Sequence, residues 1–243
     1  MADRILMGGA PEGFDAKLLA REAARGQPVI HIARDDRRME AMRAALSVLS
    51  PASVVLEFPA WDCLPYDRAS PSLRVTSERL ATLAALQRKT DKPQLLITTA
   101  NAATQRVLTP FRIRQLTAHL APGARIDRDK LAELLQANGY VRTDTVADAG
   151  EFAVRGGLVD LFPSGMPHGL RLDFFGDEID EIREFSIADQ RSLADVKSVE
   201  ASAVREILLT AEVRKRASAL AERVPSLRSL AEPIAEGIAV PGM

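Results

Sequence analysis

A chain of 243 residues, 47% of them hydrophobic, is long enough for more than one unit with its own buried core. Its 32 Lys and Arg stand against 33 Asp and Glu, a formal net charge of -1, so bulk charge calls for neither nucleic acid nor a membrane surface. The single cysteine, Cys63, excludes an internal disulfide framework and a zinc site built from cysteines, and no run approaches the ~20 apolar residues of a membrane span, so the expectation is a soluble, cytoplasmic protein.

Residues 1 to about 115 have an α/β pattern, with short apolar runs alternating with segments of helical period. Val29-Ile30-His31-Ile32-Ala33 is the clearest strand; Asp35 or Asp36 then caps a helix with Met39, Met42, Leu46 and Leu49 on one face, ending before Pro51. Val54 to Phe58 and Leu95 to Thr99 supply two more strands, and a parallel sheet with crossover helices is the simplest assembly. The proline-punctuated segment Phe58 to Tyr66 reads as an ordered loop. A second unit begins near residue 116: Asp127 caps a helix carrying Leu131, Leu134 and Leu135, with Ile126 stapled onto Leu131 and Asn138-Gly139 ending it. From Gly150 to about Ile187 the alternation has period two, giving a small antiparallel sheet on that helix. From about Glu206 the spacing of Leu208, Leu209, Val213, Leu220 and Val224 predicts a helix with a buried stripe. The apolar residues beyond Pro225 form no obvious terminal element, and the sequence has the look of a piece of something longer. The boundaries so drawn are 1–115, 116–203 and 204–243.

Few residues recommend catalysis. Gly8-Gly9 follows the apolar Ile5-Leu6-Met7, where a strand-to-helix turn could wrap phosphate. A working loop also needs a Lys-Ser/Thr pair, but Lys17 has no Ser or Thr behind it, and Glu12 and Asp15 bring negative charge. A plain turn is expected at Gly8 and Gly9, with no cofactor. His31, His119 and His168 fall in a strand, a helix-like segment and a turn, with no spacing for metal ligation. The acidic run Asp177, Glu178, Asp180, Glu181 reads as a solvated hairpin, and the basic runs Arg34, Arg37, Arg38 and Arg214-Lys215-Arg216 as solvated helix ends. No nucleophile elbow or metal is indicated.

The strands after Gly150 differ. Alternation from Leu170 to Phe175 puts Leu170, Leu172 and Phe174 on one face and Arg171, Asp173 and Phe175 on the other, so an aromatic lies on the polar face beside an arginine. Arg155 lies in the neighbouring strand beside Gly156-Gly157, which leave room for a close approach. Two readings stay open on these residues: a docking face anchored by aromatic and guanidinium groups, or a covered layer in which salt bridges occupy both arginines.

Three stretches resemble the front, UvrB-like part of bacterial transcription-repair coupling factors. They are Phe58 to Asp67 with Ser70-Pro71, Glu78 to Leu83, and Gly150 to Pro163 with Arg171 to Asp180, extending through Phe185 to Leu193. The resemblance spans essentially the whole chain but only the front of the family's longer one. It implies an α/β fold, namely a degenerate helicase-like (P-loop NTPase-like) parallel-sheet domain, 1–115, into which a small α+β domain with an antiparallel sheet, 116–203, is inserted; 204–243 would return to the first domain. The inserted domain would dock onto UvrA through Arg155, Arg171 and Phe175, on a surface expected to be exposed in this chain. No ATP hydrolysis is expected of this piece, and with only Tyr66 and Tyr140 the tyrosine-rich DNA hairpin of UvrB is missing. RNA polymerase and DNA would be met by other parts of the parent chain. A nucleotide-dependent DNA-processing ATPase and a nucleic-acid-binding module are the alternatives.

Overall fold

The computed structural model describes residues 5–64 and 69–240. Tyr66 and its neighbours in the proline-punctuated segment lie outside the described residues. In chain order the elements are α1 (Phe14–Ala23), β1 (Val29–Ala33), α2 (Asp36–Leu49), β2 (Val54–Phe58), α3 (Leu73–Ala85), β3 (Gln94–Thr99), α4 (Ala100–Ala103), α5 (Pro110–Gln115), β4 (Thr117–Leu120), α6 (Arg128–Ala137) and β5 (Val141–Arg142). They continue with β6 (Glu151–Arg155), β7 (Leu158–Leu161), β8 (Gly169–Phe175), β9 (Glu178–Phe185), β10 (Ser192–Asp195), β11 (Val199–Ser202), α7 (Ala211–Arg223), a 3-10 turn (Pro225–Leu227) and α8 (Arg228–Glu236). They group into two compact units, one of Met1–Ala60 with Ala85–Arg106, the other of Trp61–Ala84 with Val107–Met243.

In the first unit β3 lies between β1 and β2 and pairs with both in parallel, Leu95 standing opposite Val29 on one side and Val55 on the other. Parallel pairing needs crossovers, which α2 supplies between β1 and β2. α2 starts where the Asp35 carboxylate accepts from Arg38 N at 2.8 Å. Met39, Met42 and Leu46 then bury against Leu95, Ile97 and Ala33, together with Ala16 and Ala23 of α1. Leu49, expected on that face, is half exposed because the helix ends there. The opposite face of β1 carries Ile30 and Ile32, both largely exposed. Ile5 to Met7 form no strand: they are exposed and irregular, and Gly8-Gly9 is therefore not a strand-to-helix turn.

The second unit holds a six-stranded sheet in the order β10-β9-β8-β7-β6-β5, antiparallel except where short β5 runs parallel to β6. One face packs on α6: Leu131 and Leu135 bury against Phe152, Val159, Leu161, Leu170, Leu172, Ile179 and Ile182. Asp127 caps α6 through two amides, Asp129 N at 2.9 Å and Lys130 N at 3.0 Å, and Ile126 packs into the same core. Asn138 ends the helix and Gly139 (φ 89°) turns the chain, while Leu134 faces outward. His119 sits in a strand, not a helix-like segment, because β4 pairs antiparallel with β11.

Helix α3 comes from earlier in the chain, yet its residues to Ala84 belong to this unit. Leu80 and Ala84 pack with Ile113 and Ala203, Leu73 joins the core under α6, and the Thr76 hydroxyl donates to the Val204 carbonyl at 2.8 Å. Arg79 of α3 is wholly buried; its Nε donates to Glu206 at 2.6 Å, its guanidinium lies 5.4 Å from the Trp61 ring centre, and Trp61 Nε1 donates to the same carboxylate at 2.9 Å. Residues 206 to 209 are not helical; α7 begins after Thr210, whose hydroxyl caps Val213 N. Its buried positions are Ala217 and Ala221, one turn apart, while Leu220 is exposed, so the leucine stripe does not form. Small residues let α8, a terminal helix the sequence does not announce, lie close against α7.

Candidate docking face

The face of the six-stranded sheet away from α6 is built by strand alternation. Cross-strand register lines up Ala153, Asp160, Arg171 and Arg183 in one row across β6, β7, β8 and β9, and Arg155, Leu158, Asp173 and Glu181 in the next. Two tight turns frame it. Gly156-Gly157 joins Arg155 to its partner Leu158, with Gly156 at φ 57°, and Gly176-Asp177 joins Phe175 to Glu178, with Gly176 at φ 67°. A side chain would be strained at both glycines, so their role is the two-residue hairpin itself. Gly156 has open space where a Cβ would stand, and a Cβ on Gly157 would meet the Phe174 carbonyl at 3.4 Å, an ordinary van der Waals contact.

The three predicted residues occupy this face in unequal ways. Phe175 closes β8 and is 82% exposed, the end of its strand carrying the ring beyond any covering layer. Arg171 is nearly covered, its side chain 14% exposed, whereas Arg155 is 45% exposed. Both arginines converge on Asp160, a carboxylate that is 1% exposed. Arg171 approaches it as a fork, Nε to Oδ1 at 2.7 Å and Nη2 to Oδ2 at 2.9 Å, and Arg155 Nη2 donates to Oδ2 as well. Hydrogen bonding to Asp160 pushes the Arg171 pKa further up. The two openings the sequence left thus combine: salt bridges occupy the arginines, and no layer among the described residues covers Phe175. Two guanidinium groups on one carboxylate leave that trio one positive charge in excess.

Sequence reasoning missed Asp160, although one signal was there. An acid inside Leu158-Val159-Asp160-Leu161, on the face that alternation gives to Arg171, must be paired if it is buried. It also missed Gln190 and Phe185, which reach Arg171 only through the fold. The acidic residues do form a hairpin; Glu178 pairs with Arg125 at 3.4 Å and Glu181 with Arg183 at 3.1 Å, and no group fit to hold a metal ion occurs among the described residues.

After Gly8-Gly9, Gly13 precedes α1 without a side-chain cap, and Arg38 reaches Glu12 at 3.1 Å and Asp15 at 3.2 Å. Arg38 thus holds an ion pair beside the first turn of α1. The other basic run lies within α7, not at its end, where Arg214 donates to the Ala235 carbonyl at 3.0 Å and Arg216 pairs with Glu212.

Residues 118–206, which include β6 to β9 and all three predicted residues, match the family model of the UvrB interaction domain. Aligned over 97% of its length, the chain is 35% identical to the transcription-repair-coupling factor of Mycobacterium tuberculosis, covering 21% of that protein. It is 38% identical to the factor of Myxococcus xanthus over 89% of the chain and 18% of the relative, and 35% identical to that of Escherichia coli over 81% and 17%. The chain therefore belongs to the transcription-repair-coupling factor family and spans about a fifth of the length of these curated relatives.

Proposed function

We propose that this chain is the UvrA-recruiting part of a transcription-repair coupling factor, docking UvrA through Phe175, Arg155 and Arg171 and so linking RNA polymerase stalled at DNA damage to nucleotide excision repair. The observation that carries the proposal is Phe175, 82% exposed on a sheet face that also bears the Arg155–Asp160–Arg171 cluster, inside the residues that match a UvrB interaction domain. A flat ring loses little side-chain entropy on burial, and arginines give forked bonds to carboxylates and carbonyls, which is why both dominate interface energetics. In this reading the work is docking. Nucleotide hydrolysis is not assigned to these residues, since the Lys-Ser/Thr pair is missing after Gly8-Gly9. Polymerase and DNA contacts are assigned to the rest of the parent protein.

The test is titration of the chain with UvrA from the same bacterium. Phe175 contributes nothing to the sheet's core, so Phe175→Ala should leave the unfolding midpoint unchanged and weaken binding by about 2 kcal/mol or more. Undiminished binding by Phe175→Ala removes this face from the interface, and no binding by the native chain removes the function.

A further inference from the structure

Resting on that docking reading, we infer that Asp160, supported by Gln190 and Phe185, is a positioning device that holds the Arg171 guanidinium in its binding geometry before any partner arrives. Four features, two of them at Gln190, converge on this one group. The Asp160 carboxylate takes it at both Nε and Nη2, which fixes the guanidinium plane. The Gln190 carbonyl accepts from Nη1 at 3.3 Å. Gln190 is the one non-glycine residue at positive φ among the described residues, at 61°, a conformation that costs about 1 kcal/mol or more. Its own amide donates to Ser186 O at 2.8 Å and its side chain to Val146 O at 3.1 Å and Ile187 O at 3.0 Å, so the carbonyl is locked towards Arg171.

The fourth feature is aromatic. The guanidinium lies 4.9 Å from the centre of the fully buried Phe185 ring. That ring lies over Gly169, where a Cβ would sit 2.5 Å from it, so only glycine leaves room for the stack. A nearly covered arginine in a merely structural ion pair needs none of this, since such pairs contribute little net stability over apolar replacements. Fixing the side chain in advance removes an ordering cost that an exposed arginine would bear on association, and it leaves one proton on Nη1 and one on Nη2 for a partner's acceptor. The group met there is an acceptor, a carboxylate or carbonyl of the partner protein.

The experiment combines a spectroscopic readout of the free chain with a double-mutant cycle. In the native chain the Arg171 Nε–H resonance should be sharp and slow to exchange with water, and Asp160→Asn should broaden it or shift it to the position of an exposed arginine. With UvrA, Asp160→Asn should weaken binding about 10-fold in the native background and only about 3-fold on Arg171→Ala, where what remains acts through Arg155, the non-additivity expected of residues that act through each other. Gln190→Gly, which keeps the backbone conformation, should retain more affinity than Gln190→Val. Equal losses from Asp160→Asn in both backgrounds overturn the positioning role, as does an unperturbed Arg171 resonance in the variant. Should the native chain fail to bind UvrA, the docking reading falls, and the resonance alone decides whether Asp160 holds Arg171.

Discussion

Single residues carry large energies where charge is buried. Arg79 has no exposed surface, and its Nε and the Trp61 indole N–H share the Glu206 carboxylate, whose side chain is 13% exposed. Glu206→Ala removes that shared acceptor while leaving the guanidinium inside, so stability should drop by about 1 kcal/mol or more. Trp61 is the only tryptophan, so its fluorescence during denaturant unfolding reports the change directly; a midpoint within error of the native chain would show that Glu206 contributes no net stabilisation. This cluster was illegible in sequence for a plain reason. Its three members lie far apart in the chain, and arginine at a helical position gives no sign of facing inward.

At the scale of elements, local rules carried furthest where cap, staple and apolar face agreed. Helix α6 has all three, and the Asp127 carboxylate satisfies two first-turn amides that would otherwise have no helical partner. Asp127→Ala should therefore cost about 1 kcal/mol, seen as a lower thermal midpoint, and Asp127→Ser should recover most of it. Strands β1, β2 and β3 were equally legible as short apolar runs rich in β-branched residues, and β8 from its two-residue alternation. Helix α7 shows where the rules gave out. Its leucines suggested the buried face, but close packing against α8 favours Ala217 and Ala221, and tertiary fit overrides side-chain hydrophobicity when two helices approach. At the start of the chain, Ile5 to Met7 are apolar enough for a strand but pair with none of the described residues.

For the molecule as a whole, the compact units do not follow the chain in blocks: residues 61–84 leave the first unit to join the second, and 85–106 return. The residues that match the UvrB interaction domain begin well after α3, yet α3 buries Leu80 and Ala84 in this unit and meets Ser164 through Ser77 at 2.6 Å. A chain beginning at residue 107 should accordingly unfold at a lower midpoint than the full chain and expose apolar surface. Adding a peptide of residues 69–84 should raise that midpoint by mass action. Equal stability without the peptide would mean that α3 is dispensable to the unit. The sequence by itself determined the strands, the capped helix and the shared face of Arg171 and Phe175, since these follow from residue type and local period. Only the tertiary structure decided that Phe175 stays in the open while Arg155 and Arg171 share Asp160. Exposure and pairing depend on which distant strands and turns come to lie alongside, and no local pattern encodes that.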